Sequence, residues 1–161
     1  MRIRVQKKRT KTLQNRGVNH IRGSLIASRT RIAIVVASFN EYFTDKLLEG
    51  ALDTFRRHGI RPRSIDVIHV PGSFEIPLIV KRILRRKKVD AVLTLGMVIK
   101  GQTRHFNHVV DAAARGTLES SLSSNIPVIH GVVAAENMKQ AIDRTGGKLG
   151  NKGAGRRACR H

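Results

Sequence analysis

The chain of 161 residues has one cysteine, no tryptophan and only six aromatic side chains. The lone Cys159 excludes a disulfide framework and a multi-cysteine zinc site, which suits a reducing compartment and sets a cytoplasmic expectation. No apolar run approaches the roughly 20 residues of a membrane span, so a soluble chain without a membrane partner is expected. There is no GxGxxG fingerprint, no HExxH pair and no internal repeat. A dinucleotide cofactor and a helical zinc site therefore have no sequence support. The length fits one domain with a single core.

Acids are scarce, and their distribution matters more than the net charge of +20. Residues 1–30 carry nine Lys/Arg and no acid, and residues 144–161 carry six and no acid. Residues 31–143 hold the remaining 16 basic and all 11 acidic residues, so the middle of the chain is nearly ordinary. Polybasic tails bind phosphate backbones without sequence preference, but they are usually solvated segments around a domain. Nucleic acid is thus not the expected partner. Residues 1–30 read as a basic, flexible arm that fits either a transit peptide or upstream sequence translated from an early start codon.

From Arg31 onward the pattern alternates. Ile32–Ala37 is a continuous apolar run, as in a strand buried on both faces. Leu47, Leu48, Ala51, Leu52 and Phe55 form a helical stripe, closed by Gly59. Ile65–Val70 is the second strand. Ile76, Ile79, Val80, Ile83 and Leu84 mark the second helix, with Pro77 in its first turn. Ala91–Met97 is the third strand, and Phe106, Val109, Val110, Ala113, Thr117 and Leu118 mark a long helix. Pro127–Val133 and the short helical stripe of Met138, Ala141 and Ile142 follow. Strands alternating with helices require crossover connections, hence an α/β fold with a four-stranded parallel sheet between helical layers.

Ligands of such folds bind at the carboxyl edge of the sheet. That edge gathers Ser38-Phe39-Asn40, Pro71 to Glu75, Met97 to His105, and the stretch after Val133. The turn before His105 offers unpaired N–H groups and the positive end of a helix dipole, which suit an anion. His105 can move protons near neutral pH, or it is merely a histidine exposed on a helix turn. Phe39 and Phe74 either support a flat ring or plug the top of the core. Glu75 either accepts hydrogen bonds from substrate or caps a helix. His105, His108 and Asp111 share a helical flank, yet without a ligand pair of known spacing they do not make a metal site. Arg144 suits bidentate phosphate contact; in so basic a tail, Arg144 and Lys152 also fit solvated surface.

In order and spacing these segments resemble the lumazine synthase family. The matching pieces are Val36-Ala37-Ser38-Phe39-Asn40, Leu48-Glu49-Gly50-Ala51, Val70-Pro71-Gly72-Ser73-Phe74-Glu75-Ile76-Pro77, Leu95 to Phe106, and Gly150-Asn151-Lys152-Gly153. They span residues 31–153, leaving 154–161 as a short basic tail where the family continues into a final amphipathic helix.

The resemblance implies a three-layer α/β/α, flavodoxin-like subunit, assembled as pentamers or multiples of pentamers, with active sites shared between subunits. It implies condensation of 5-amino-6-(D-ribitylamino)uracil with 3,4-dihydroxy-2-butanone 4-phosphate, without metal or cofactor. It also allows riboflavin synthase as an assembly partner. By matched position, Phe39, Ser73, Phe74 and Glu75 would serve the aminouracil, together with the Met97-Val98-Ile99 backbone. His130 stands where the family usually has an aromatic ring stacked on the pyrimidine. Gln102 and Thr103 would hold the phosphate, joined by Arg144 from a neighbouring subunit and by Lys152, and His105 would transfer protons. Gln102 and Arg104 replace residues that are commonly smaller. The alternatives are an inactive shell-forming scaffold and a basic nucleic-acid-binding module that keeps the fold.

Overall fold

Ile32–Ala37 forms strand β1, and every residue of it is buried, as the unbroken apolar run requires. It lies inside a sheet of order β2-β1-β3-β4 in which all pairings are parallel. The other strands are β2 (Ile65–Val70), β3 (Ala91–Ile99) and β4 (Val128–Ala135). The connecting helices are α1 (Glu41–Arg57), α2 (Ile76–Arg85) and α3 (His105–Ser124), and α4 (Met138–Arg144) follows β4. The computed structural model describes residues 30–86, 88–147 and 151–154. The expectations for the arm before residue 30 and for residues 155–161 lie outside the described residues.

Two cores follow from the alternation of side chains along the strands. Ile32, Ile34, Val36, Leu93, Leu95 and Met97 pack with Phe43, Leu47 and Ala51 of α1 and Ala141 of α4. Ala33, Val35, Ala37 and Val92 pack on the opposite face with Ile76, Val80 and Leu84 of α2. Full burial of a side chain such as Ile34, Leu47 or Ile76 contributes about 1.5–3 kcal/mol, so contacts between β1 and the helices on both faces anchor the fold. Pro77 occupies the first turn of α2, and Gly59 just beyond α1 takes a φ of +79°, as its place after the helix end demands.

Two sequence expectations need correction. β3 and β4 each run two residues further than their apolar runs suggested, because parallel pairing continues to Ile99↔Ala135. Met97, Val98 and Ile99 are therefore strand, and the turn starts at Lys100. The stripe on α3 also differs. Its fully packed residues are Ala113, Thr117 and Ser120, whereas Leu118 is 61% exposed. The cause is close packing of α2 on α3: a Cβ added at Gly116 would lie 2.5 Å from Pro77 Cβ. Small residues must line that contact, which turns Leu118 and Leu122 outward.

Candidate active site

The sheet order reverses between β1 and β3, and such a switch point opens a crevice at the carboxyl edge. Pairing of β3 with β1 ends at Val36↔Leu95, while pairing with β4 continues to Ile99↔Ala135. Gly96–Ile99 thus overhang β1. The Lys100 N–H donates to the Ala135 carbonyl at 2.9 Å, so by alternation the peptide groups of Met97 and Ile99 turn toward the β1 side. The Asn40 side-chain amide donates to the Met97 carbonyl at 2.9 Å. Ile99 lies beyond that contact, with its main-chain donor and acceptor directed into the crevice.

Phe39 and Phe74 flank this edge from the turns after β1 and β2. They are 71% and 57% exposed, so neither plugs the core. Ser38 and Phe39 N–H groups donate to the Val70 and Pro71 carbonyls, which continues the β1–β2 pairing into the two turns. Ser73 is buried and packs directly over Gly96, leaving no room for a Cβ there. Glu75 stands at the N-terminus of α2 but makes no side-chain cap, so the capping reading fails and its exposed carboxylate faces solvent. A Cβ on Gly72 would come within 2.9 Å of Glu75 Oε2, the end of an exposed, flexible side chain that can turn aside.

On the other side of the crevice, Gln102 and Thr103 lie exposed in the turn leading to α3. His105 is the first residue of α3, also exposed, and no acid stands in the helix's first turn. Free N–H groups at this helix start favour an anion beside the imidazole. Lys100 is held by Glu136 at 2.6 Å, an ion pair that ties the ends of β3 and β4 together. Among the described residues no cluster of three or more His, Cys, Asp or Glu could hold a metal ion.

The remaining candidates sit elsewhere. Arg144 and Lys152 line a separate groove of about 440 Å³, walled by Ile32, Phe55, Leu93, Ile129 and Val133, which His130 borders only along its strand. None of the carboxyl-edge candidates lines it. Arg144 ends α4, and Lys152 follows Asn151, whose side chain clamps the segment to α1. Asn151 Nδ2 donates to the Lys46 carbonyl at 2.6 Å, and the Gly153 N–H donates to Asn151 Oδ1 at 2.8 Å. An antiparallel bridge joins Asn151 to Thr145 next to Arg144. Both cations are thereby fixed on one surface.

His130 lies on β4 opposite Thr94, with the parity of Val128 and Val132, and therefore faces α3. Its Nδ1 is 3.1 Å from Thr117 Oγ1. The ring keeps an exposed edge, yet packing against its surroundings strips enough water to push its pKa below the ordinary histidine value.

One chain thus carries two separate groups of candidate residues, one around an imidazole and aromatic rings, the other around two cations. The family model for 6,7-dimethyl-8-ribityllumazine synthase matches residues 29–159. The chain belongs to the lumazine synthase family. It is also 48% identical over 147 residues to the chloroplastic 6,7-dimethyl-8-ribityllumazine synthase of Arabidopsis thaliana. That match covers 91% of this chain, and the chain spans 65% of the relative's length.

For a lumazine synthase family member, the order of elements and the parallel sheet are those the sequence motifs implied. Three residues whose hydrogen bonds order these segments escaped sequence reading. Asn40 carried a signal, since asparagine tolerates a left-handed backbone at a strand end. Asn151 lay inside a quoted motif but reads from sequence only as a neighbour of Lys152. Thr117 reads as one member of an apolar stripe, and its hydroxyl contact depends on a strand that follows α3.

Proposed function

We propose that this chain condenses 5-amino-6-(D-ribitylamino)uracil with 3,4-dihydroxy-2-butanone 4-phosphate to give 6,7-dimethyl-8-ribityllumazine. The observation that carries the reading is the carboxyl edge. Exposed aromatic rings and strand-end peptide groups share that edge with a helix start where His105 is the first residue. Phe39 and Phe74 hold the aminouracil ring, with Ser73, Glu75 and the Met97–Ile99 segment ordering its polar edge. Gln102 and Thr103 bind the phosphoester at the start of α3. The substrate amine attacks the ketone and expels water to form an imine. Phosphate then leaves, and ring closure expels a second water. His105 carries the protons in these steps. Most of the rate comes from holding two reactive molecules together, with no cofactor required.

Arg144, Lys152 and His130 complete the site from another copy of the chain, because they lie outside the crevice of their own subunit. Leu118 and Leu122, exposed one turn apart on α3, suit helix contact between copies. The assembly is a pentamer or a multiple of pentamers, to which riboflavin synthase could dock. No helix among the described residues is long and apolar enough to cross a membrane. The working compartment is the cytosol, which the lone cysteine suits, or the chloroplast, as the name of the Arabidopsis relative states for that protein.

The test mixes purified protein with both substrates and follows lumazine absorbance together with equimolar phosphate release. Size-exclusion chromatography runs on the same sample. Product from an assembled fraction supports the reading. An assembled fraction with no turnover would leave the inactive scaffold instead.

A further inference from the structure

Thr117 is buried on α3, and its hydroxyl oxygen has three close neighbours. The Ala113 carbonyl lies at 2.8 Å, the Ala114 carbonyl at 3.0 Å and His130 Nδ1 at 3.1 Å. A hydroxyl has one proton and two lone pairs. Two carbonyl oxygens so near require that proton between them and Oγ1; otherwise three lone-pair-bearing oxygens would face one another. The oxygen is then left as an acceptor toward His130, so Nδ1 must carry the hydrogen. We infer that Thr117 is a positioning residue: it fixes the ring plane of His130 and holds it as the Nδ1–H tautomer, presenting a flat imidazole to a planar, N–H-bearing heterocycle. Among the described residues no hydrogen-bond partner reaches Nε2, and the ring keeps an exposed edge for a ligand.

The inference deepens the proposed reading and rests on it for the identity of the ligand, an aminouracil. A ring anchored at one nitrogen loses no rotational freedom when the substrate stacks on it. Release of the anchor therefore weakens binding equally in the ground and transition states, which raises KM and spares kcat. Thr117→Val keeps the shape of the side chain and removes the hydroxyl, while Thr117→Ser restores it.

Two measurements on the full chain decide the matter. Long-range 1H–15N correlation of 15N-histidine-labelled protein without substrate should show His130 as the Nδ1–H form. Thr117→Val should move it toward the Nε2–H form that unanchored histidine prefers, and Thr117→Ser should keep the original pattern. In steady-state assays, Thr117→Val should raise KM for the aminouracil about three- to tenfold with kcat unchanged, and Thr117→Ser should reverse the loss. An Nε2–H tautomer in the unmodified protein, an unaltered Thr117→Val spectrum or failure of serine to rescue would overturn the inference. These outcomes stand apart from the enzymatic reading. Absence of product with the unmodified protein would sink that reading, and the tautomer measurement would still decide the link between Thr117 and His130.

Discussion

The side chain of Asn40 bridges the switch point of the sheet by donating to the Met97 carbonyl at 2.9 Å, while its own backbone sits in the left-handed region at φ 63°. Two demands meet in one residue. The left-handed turn redirects the chain from β1 into α1, and the amide satisfies a strand carbonyl that β1 no longer reaches. Asn40 stands at the N-cap of α1 but makes no side-chain cap, because its amide is engaged across the crevice. Asn40→Gly keeps the turn and loses the bond, at a cost of about 1 kcal/mol. Asn40→Ala loses both, and left-handed strain brings the total to about 2–3 kcal/mol. Urea unfolding of the two variants checks the order. Equal losses would mean that the backbone conformation contributes nothing.

Ser73 and Gly96 fit against each other at the base of the crevice, with no space for a methyl group between them. Gly96→Ala should push the buried Ser73 out of place and destabilise the chain by about 1–3 kcal/mol, as overpacking does. The displaced turn carries Phe74 and Glu75, so KM for the aminouracil should rise even in protein that remains folded. A stable variant with unchanged KM would remove Ser73 from the site.

The scaffold was legible in the sequence because burial on both faces leaves an unbroken signature, as in Ile32–Ala37. Long α3 was legible as a helix but not as a packed surface. Its buried stripe runs through Ala113, Thr117 and Ser120, and the close approach of neighbouring Gly116 to Pro77 depends on how α2 packs across the layer. Strand ends were misjudged for a similar reason. The alternation of Val98, Ile99, Ala134 and Ala135 does not say where pairing stops; the neighbouring strand does. The placement of Arg144 and Lys152 was legible as a motif alone, because the clamp beside them spans 105 residues from Lys46 to Asn151.

His105→Ala should lower kcat about ten- to a hundredfold without abolishing the reaction, since proximity of the two substrates remains. Arg144→Ala should act differently, raising KM for the phosphate-bearing substrate about tenfold or more through loss of charge-assisted hydrogen bonds. Steady-state kinetics with each substrate varied in turn separates the two. A kcat effect at Arg144 with unchanged KM would contradict a binding role.

Gly153 lies so close to the Leu47 backbone that a Cβ would collide with the Leu47 carbonyl. Gly153→Ala should therefore lift the Asn151-Lys152-Gly153 segment off α1, breaking the bond from Asn151 to Lys46. Because the cost falls on a local segment, global stability should drop by no more than about 1–2 kcal/mol while phosphate affinity falls several-fold. Hydrogen exchange at the Gly153 amide would report the release directly. Protection equal to that of the unmodified chain would show that the clamp tolerates the methyl group.

His130 makes stability depend on pH in a direction fixed by its desolvation. Its folded pKa lies below the ordinary 6.5, so the unfolded chain takes up a proton before the folded one does. Between the folded value and 6.5 the unfolded state binds more protons, and stability rises with pH. The contribution is fully present above 6.5 and is lost as pH falls toward the folded pKa. His130→Gln keeps a polar side chain and cannot titrate in that window, so its unfolding free energy should fall less between neutral and mildly acidic pH. Paired urea titrations of the two proteins across that range isolate the difference from the other histidines. Parallel curves would mean that His130 titrates alike in both states, and the packing of its ring against α3 would then have no electrostatic consequence.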